Sequence, residues 1–557
     1  MTDRRESSPI DELSNSYFRK CLELSPELAT SVGMEGGDKG TFSDYSPEGI
    51  AAEADLAKST LAALGKLEVR DDVDKVSAAA LRERLGLDIE LMDAGERVGN
   101  INVIESPIQS IRDVFDLMPT QTAEDWGTIA RRLSAVPSAL AGYQKSLLER
   151  ISSGPAIPER QVLRCAEQCD ALAGSASPLS KYAERGSAAQ PSVADHLADG
   201  AEQARIAYGE LGQFLRTQVA PHTTAVDGVG PERYARFSRV FLGAEVDLEE
   251  TYEWGQHELA SIIAEQESIA KELYGPGVSV KEAMDRLNND PARQLHGTAA
   301  LREWMQTTAD EAMNAISGRF FDVPDPLKTI QCMVLEDGTG GIYYTGPTDD
   351  FSRPGQMWWS IPAGVTDFVT WQEKTTVYHE GVPGHHLQVG LAAYLHENLN
   401  DWRRQGCWVS GHGEGWALYA EQLMAELGFQ SDPGDRMGVL DSMRLRAARV
   451  VVDLGVHLGK PAGPFGSGAW DHDSAWAFLR ENVAMDPSFL SFELDRYLGW
   501  PGQAPSYKIG QRMWNELREE ARTRAAAEGQ EFDMKAWHMR ALSLGSVGLD
   551  VLREALR

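Results

Sequence analysis

Cations are scarce in this chain of 557 residues: 53 Lys and Arg stand against 84 Asp and Glu, a formal charge of −31 and a pI of about 4.8. A field of that sign repels phosphate backbones and anionic bilayers, so neither nucleic acid nor a membrane is expected as a partner. Cysteine is also sparse. The five present, Cys21, Cys165, Cys169, Cys332 and Cys407, are an odd number with no framework spacing, which excludes a disulfide scaffold. Cys165 and Cys169 are one helical turn apart, with no second pair to complete a zinc knuckle. The first residues, Met1-Thr2-Asp3-Arg4-Arg5-Glu6, lack the apolar stretch of a secretory signal, and no run of about 18 apolar residues suggests a membrane span. The expected compartment is therefore the cytoplasm. Internal repeats and low-complexity tracts are missing too, which excludes a solenoid.

What remains is a chain that is 42% hydrophobic and long enough for a large core. Residues from about 10 to 320 read mostly as helices. Ser46-Pro47 offers a cap followed by a first-turn proline. Leu248, Tyr252, Leu259, Ile262, Ile263 and Ile269 mark a long amphipathic helix. Leu133, Val136, Leu140, Tyr143 and Leu147 keep the same rhythm, but Pro137 predicts that this helix starts there. Between about 328 and 370 the character changes. The segments 329–334, 341–345 and 357–361 are β-branched or aromatic with Gly and Pro between them, which predicts one small sheet. Trp358 and Trp359 alternate on it, so only one can face a cleft. The expected fold is mainly α, a large helical protein with one small β-sheet just before the metal motif. Two regions are expected: 1–325 as a helical wall of the cleft, and 326–557 as the catalytic part.

Chemistry concentrates in two segments. Tyr378-His379-Glu380-Gly381-Val382-Pro383-Gly384-His385-His386-Leu387 supplies imidazoles and a carboxylate, and Gly413-Glu414-Gly415-Trp416-Ala417-Leu418-Tyr419-Ala420-Glu421 supplies further carboxylates. Three N/O ligands with one open position is the composition of a catalytic zinc site. The first segment departs from His-Glu-x-x-His, because Pro383 occupies the place of the second histidine. At about 100° per residue a spacing of seven returns to one helical face, which favours His386 beside His379. Pro383 and Gly384 work against a straight helix, and a bulge between Glu380 and Gly384 would bring His385 round instead.

Gly384-His385-His386-Leu387 resembles the Gly-His-x-Leu of thimet-type oligopeptidases and thermostable carboxypeptidases, with two extra residues before the glycine. Dipeptidyl peptidase III is similar, with one extra. Glu414-Gly415-Trp416-Ala417-x-Tyr419-x-Glu421 is similar to Glu-Gly-Phe-Ala-x-Tyr-x-Glu of the M-one type aminopeptidases. The whole chain resembles a bacterial family catalogued as domain of unknown function 885. The pieces that carry this are Leu24 to Thr30, His379 to Gln388, Gly413 to Glu421, Arg449 to Gly455 with His457, and Arg496-Tyr497 with Trp500 to Gly510. These resemblances imply a zinc peptidase and no defined substrate. They imply His379, His385 and Glu414 as zinc ligands, with His386 as the alternate ligand or a neighbour of the site.

On that basis Glu380, beside a ligand, is the expected general base. Glu421, seven residues after Glu414, is placed to orient a histidine. Tyr507, with His457 as alternate, is the expected oxyanion donor. His412 is a further candidate for the site's lining. Arg444, Arg446, Arg449, Arg496 and Lys508, all downstream of the ligands, suggest a site for a substrate carboxylate, whose rival is an acidic pocket for an amino terminus. The strand of residues 342–345 offers an edge for an extended peptide. The expected function is zinc-dependent hydrolysis of short peptides. Its rivals are a zinc amidase acting on non-peptide amides and a non-catalytic helical scaffold. A di-iron bundle needs Glu-x-x-His pairs, and no histidine here has Glu three residues before it.

Overall fold

A computed structural model describes residues 5–336 and 341–557, and they are mainly helical. Helix starts follow their caps. Ser46 accepts from the Gly49 amide at the head of Pro47–Leu64, and Asp247 accepts from Glu249 and Glu250 at the head of Leu248–Tyr274. Helix Ala123–Ser153 does not start at Pro137 but runs through it. An interior proline costs about 3 kcal/mol. Against that, Leu133, Val136, Leu140, Tyr143 and Leu147 are all fully buried against helix Ala194–Phe214. Each contributes about 1.5–3 kcal/mol, so burial wins.

Five short strands follow: β1 (Gln294–His296), β2 (Ile330–Leu335), β3 (Ile342–Thr345), β4 (Gly355–Ser360) and β5 (Asp367–Val369). The expected sheet has the order β2–β4–β3, with β2 parallel and β3 antiparallel to β4. β3 is therefore an edge strand. Trp359 points into the core, while Trp358 stacks on Tyr343 with ring centres 6.2 Å apart. A second, two-stranded sheet joins β1 to β5, which the sequence reading did not anticipate. Three residues per strand are too few for alternation to show.

The apolar interior forms two clusters. The smaller lies among the helices from Ile101 to Val219. The larger draws on both ends of the chain and holds the metal-motif helices. Ile316, Phe321, Val323, Leu327 and Ile330 all belong to it, so the core is continuous across residues 325 and 326. Among the described residues no helix is long and apolar enough to cross a membrane.

Candidate metal centre

The metal motif is not one straight helix. Helix Thr370–Thr376 widens into a π-turn at Val377–Gly381, the chain passes a cis Val382–Pro383 bond, and a new helix begins at His385. The Gly384 amide donates to the Tyr378 carbonyl at 3.0 Å. A Cβ on Gly384 would meet the His379 carbonyl oxygen at 1.8 Å, so only glycine lets the chain fold back this tightly. The detour brings the His379 and His385 rings together, with centres 5.1 Å apart. His386 is turned away. Its Nε2–H donates to the Leu327 carbonyl at 2.8 Å, which leaves Nδ1 to accept from the Tyr344 hydroxyl at 2.9 Å. Burial holds its pKa down to about 4, so it is a neutral ring joining the helix to β3.

Glu414 comes from the buried helix Ser410–Glu426. Its Oε2 lies 3.3 Å from His379 Nε2 and 3.6 Å from His385 Nε2. One ligand atom from each of the three residues falls within 4.8 Å of the others. Around a tetrahedral zinc with bonds near 2.0–2.1 Å, neighbouring ligand atoms stand about 3.4 Å apart, so the residues present fit the ion. Behind them Glu421 Oε1 accepts from His379 Nδ1 at 2.7 Å. That bond fixes the tautomer with Nε2 facing Glu414. Thr375 and Ser442 donate to the other Glu421 oxygen, and Arg446 Nη1 donates to Ser442 Oγ at 2.7 Å.

The electrostatics match a cation's place. Burial opposes charge on His379, but the bonds to Glu414 and Glu421 push its pKa up to about 10. Burial likewise works against Glu414, yet His379 and His385 hold it well below the usual carboxylate range. Glu380 behaves differently: burial raises its pKa above the usual value. Its carboxylate is 4.0 Å from His379 Nε2, and among the described residues no group donates a hydrogen bond to it.

These groups open on a cavity of about 450 Å³. Its polar wall is His379, Glu380, His385 and Glu414 with Arg446, Arg449 and Tyr507; Ile342, Tyr343, Tyr344, Val389 and Trp408 line the rest. Tyr507 reaches it because two helices touch at glycines. A Cβ on Gly415 would lie 2.5 Å from the Gly510 carbonyl carbon, so helix Ser506–Ala527 crosses helix Ser410–Glu426 almost backbone to backbone. Burial keeps the Tyr507 hydroxyl protonated, and Arg449 lies 5.3 Å from its ring centre.

Five other expected residues are elsewhere. His457 ends helix Pro433–His457, about 12 Å along the axis from Arg449. It is buried, stacks on Tyr234 and bonds through Nε2 to the Tyr497 carbonyl, so it does not face the cavity. His412 is buried against Trp514. Arg444 is two residues, some 200° of turn, from Arg446 and binds Gln266 and Asn482 instead. Arg496 pairs with Glu493, and Lys508 with Glu258 at 2.8 Å. Sequence reasoning missed Thr375, Ser442, Tyr344 and Trp408. Thr375 lies four residues before His379 and Ser442 four before Arg446, a helical spacing that becomes a signal only once the facing helix is known.

A family described as "Bacterial protein of unknown function (DUF885)" matches residues 26–556, and the chain belongs to that family. Two solved structures share the fold. A "putative lipoprotein" of Colwellia psychrerythraea is 22% identical over 98% of both chains, with a TM-score of 0.82. A "putative lipoprotein of unknown function" of Shewanella oneidensis is 15% identical over 98% of this chain and 99% of its own, with a TM-score of 0.76. No curated protein matches this chain.

Proposed function

We propose that this member of the DUF885 family is a zinc peptidase that hydrolyses short peptides. One observation carries the reading: ligand atoms of His379, His385 and Glu414, all within 4.8 Å of one another, open on the same cavity as Glu380, which accepts no hydrogen bond among the described residues. Zinc, when bound, supplies a Lewis acid for the scissile carbonyl and brings the pKa of water towards about 7. Glu380 takes the proton of the attacking water and delivers it to the leaving amine. Its raised pKa suits both tasks, since a carboxylate that holds a proton more tightly than usual can both take it up and return it. Tyr507 keeps its proton and donates to the oxygen that gains charge. Glu421, held by Thr375 and Ser442, fixes the His379 ring. The edge strand β3 lines the cavity through Ile342, Tyr343 and Tyr344, where an extended peptide can pair with it.

The test is mass spectrometry of a mixed peptide library after incubation with zinc-loaded protein, with and without chelator. Chelator-sensitive cleavage is expected, and Glu380→Gln should keep its zinc yet lose turnover by on the order of 10²-fold or more. Cleavage of N-acyl or lactam amides but of no peptide would assign the rival amidase. Near-native turnover in Glu380→Gln would show that another group activates water.

A further inference from the structure

The cavity's ionic inventory says which end of a peptide it holds, if the chain is the zinc peptidase proposed above. Among the described residues its only carboxylates are Glu380 and Glu414. Glu414 belongs to the metal cluster and Glu380 to the attacking water, so among the described residues no lining acid is left for an amino-terminal ammonium. Its cations are Arg446 and Arg449. Arg449 is already hydrogen-bonded: it shares Glu493 with Arg496, each at 2.8 Å, and its Nε donates to the Tyr497 hydroxyl at 2.8 Å. Arg446 has no carboxylate within ion-pair distance among the described residues. Among the described residues its Nη1 donates to Ser442, and its Nε is buried without a hydrogen-bond partner.

We propose that Arg446 binds the free C-terminal carboxylate of the substrate, so that the site acts on peptides at their carboxyl end. A guanidinium with unpaired N–H groups is the usual partner for a carboxylate, and the pair is strongest where water is excluded. Ser442 holds Arg446 in place, and its own bond to Glu421 fixes the cation relative to His379. The rest of the wall, Ile342, Tyr343, Tyr344, Val389 and Trp408, is apolar or aromatic and suits an apolar terminal side chain. The charge of Arg446 acts on Glu380 and, across Ser442, on Glu421, but among the described residues neither carboxylate pairs with it directly.

The experiment measures binding, so it does not depend on turnover. Zinc-loaded Glu380→Gln protein is titrated calorimetrically with matched N-acetylated tripeptides ending in Phe, as free acid and as amide. The free acid is expected to bind at least about 10-fold tighter. Adding Arg446→Met should bring the ratio to near 1, and Arg446→Lys should restore part of it. A purely structural role for Arg446 would not give a preference that returns with lysine. Zinc content measured on each variant separates loss of metal from loss of the anion contact. Equal binding of acid and amide, or a preference that survives Arg446→Met, overturns the proposal. So does loss of binding on N-acetylation. Acid preference through Arg446 in a protein that cleaves no peptide would uphold this carboxylate site and sink the peptidase reading instead. Library cleavage that ignores the C-terminus would do the reverse.

Discussion

At the scale of single residues, the two adjacent histidines carry opposite jobs. His385 directs Nε2 at Glu414, while both nitrogens of His386 are committed to Leu327 and Tyr344. His385→Ala should therefore lose zinc, and His386→Ala should keep most of it. The second variant should instead lose stability, by about 1–3 kcal/mol for the buried groups left unpaired. Elemental analysis and urea unfolding read the two effects, and the reverse pattern would make His386 the ligand. Tyr507 has a different signature. Its hydroxyl makes no hydrogen bond among the described residues, so it is available to a substrate oxygen. Tyr507→Phe should lower kcat more than it raises KM, at a cost of roughly 2–4 kcal/mol in the transition state. A change confined to KM would make Tyr507 a binding group. His457 is not positioned to replace it, since its Nε2 is bound to the Tyr497 carbonyl.

At the scale of elements, helix Pro433–His457 holds the site together from behind. Ser442, Arg446 and Arg449 follow one face, and Asp453 continues it. Asp453 Oδ1 accepts from the Tyr234 hydroxyl at 2.6 Å and from the Gly502 amide at 2.9 Å, which pins the turn leading to Tyr507. Its other oxygen is buried without a partner, and burial pushes the pKa up to about 7. The folded value lies above the unfolded one of about 3.9, so the protonated form favours the fold. That contribution is complete below about pH 4 and is lost as pH rises through about 7. Asp453→Asn cannot ionise. Its urea midpoint should fall less than the parent's between pH 5 and 8, and a parent that gains on the variant as pH rises would refute a buried neutral acid.

The elements also explain what the sequence made legible. His379, Glu380 and Glu414 stand in two short motifs, and the resemblance of those motifs to known peptidases singled them out as candidates. A departure from helix was readable, since Pro383 and Gly384 work against the straight path, but the residues alone left His385 and His386 both open. The five cations were not separable. Which face of a helix meets the cavity depends on packing partners hundreds of residues away, so Arg444 and Arg446 look alike in the chain and diverge in the fold. Pro137 misled for the same reason, because its cost is local and the burial that offsets it is supplied by helix Ala194–Phe214.

At the scale of the whole molecule, the candidate metal cluster joins elements that the chain supplies separately. His379 lies in the π-turn and His385 begins the helix after it, Glu414 comes from helix Ser410–Glu426, and the Glu421–Ser442 bond extends the network to helix Pro433–His457. The larger core already packs these helices through residues such as Trp416, Leu423, Met437 and Val450. Without metal, the imidazoles keep their carboxylate partners by holding protons, as the raised pKa values of His379 and His385 indicate. The metal-free protein should therefore stay folded, unlike a zinc finger, and zinc should add stability by mass action alone. At free zinc 100 times Kd that is about 2.7 kcal/mol. An unfolding entropy near 2.1 cal/mol/K per residue makes roughly 1.2 kcal/mol/K for a chain of this length, so Tm should rise by only about 2 °C. Calorimetry of chelated protein before and after zinc addition measures this directly. The shift should vanish in Glu414→Ala. Unfolding on chelation would mean that the ion is structural, and no shift in the parent at saturating zinc would mean that these three residues hold no zinc.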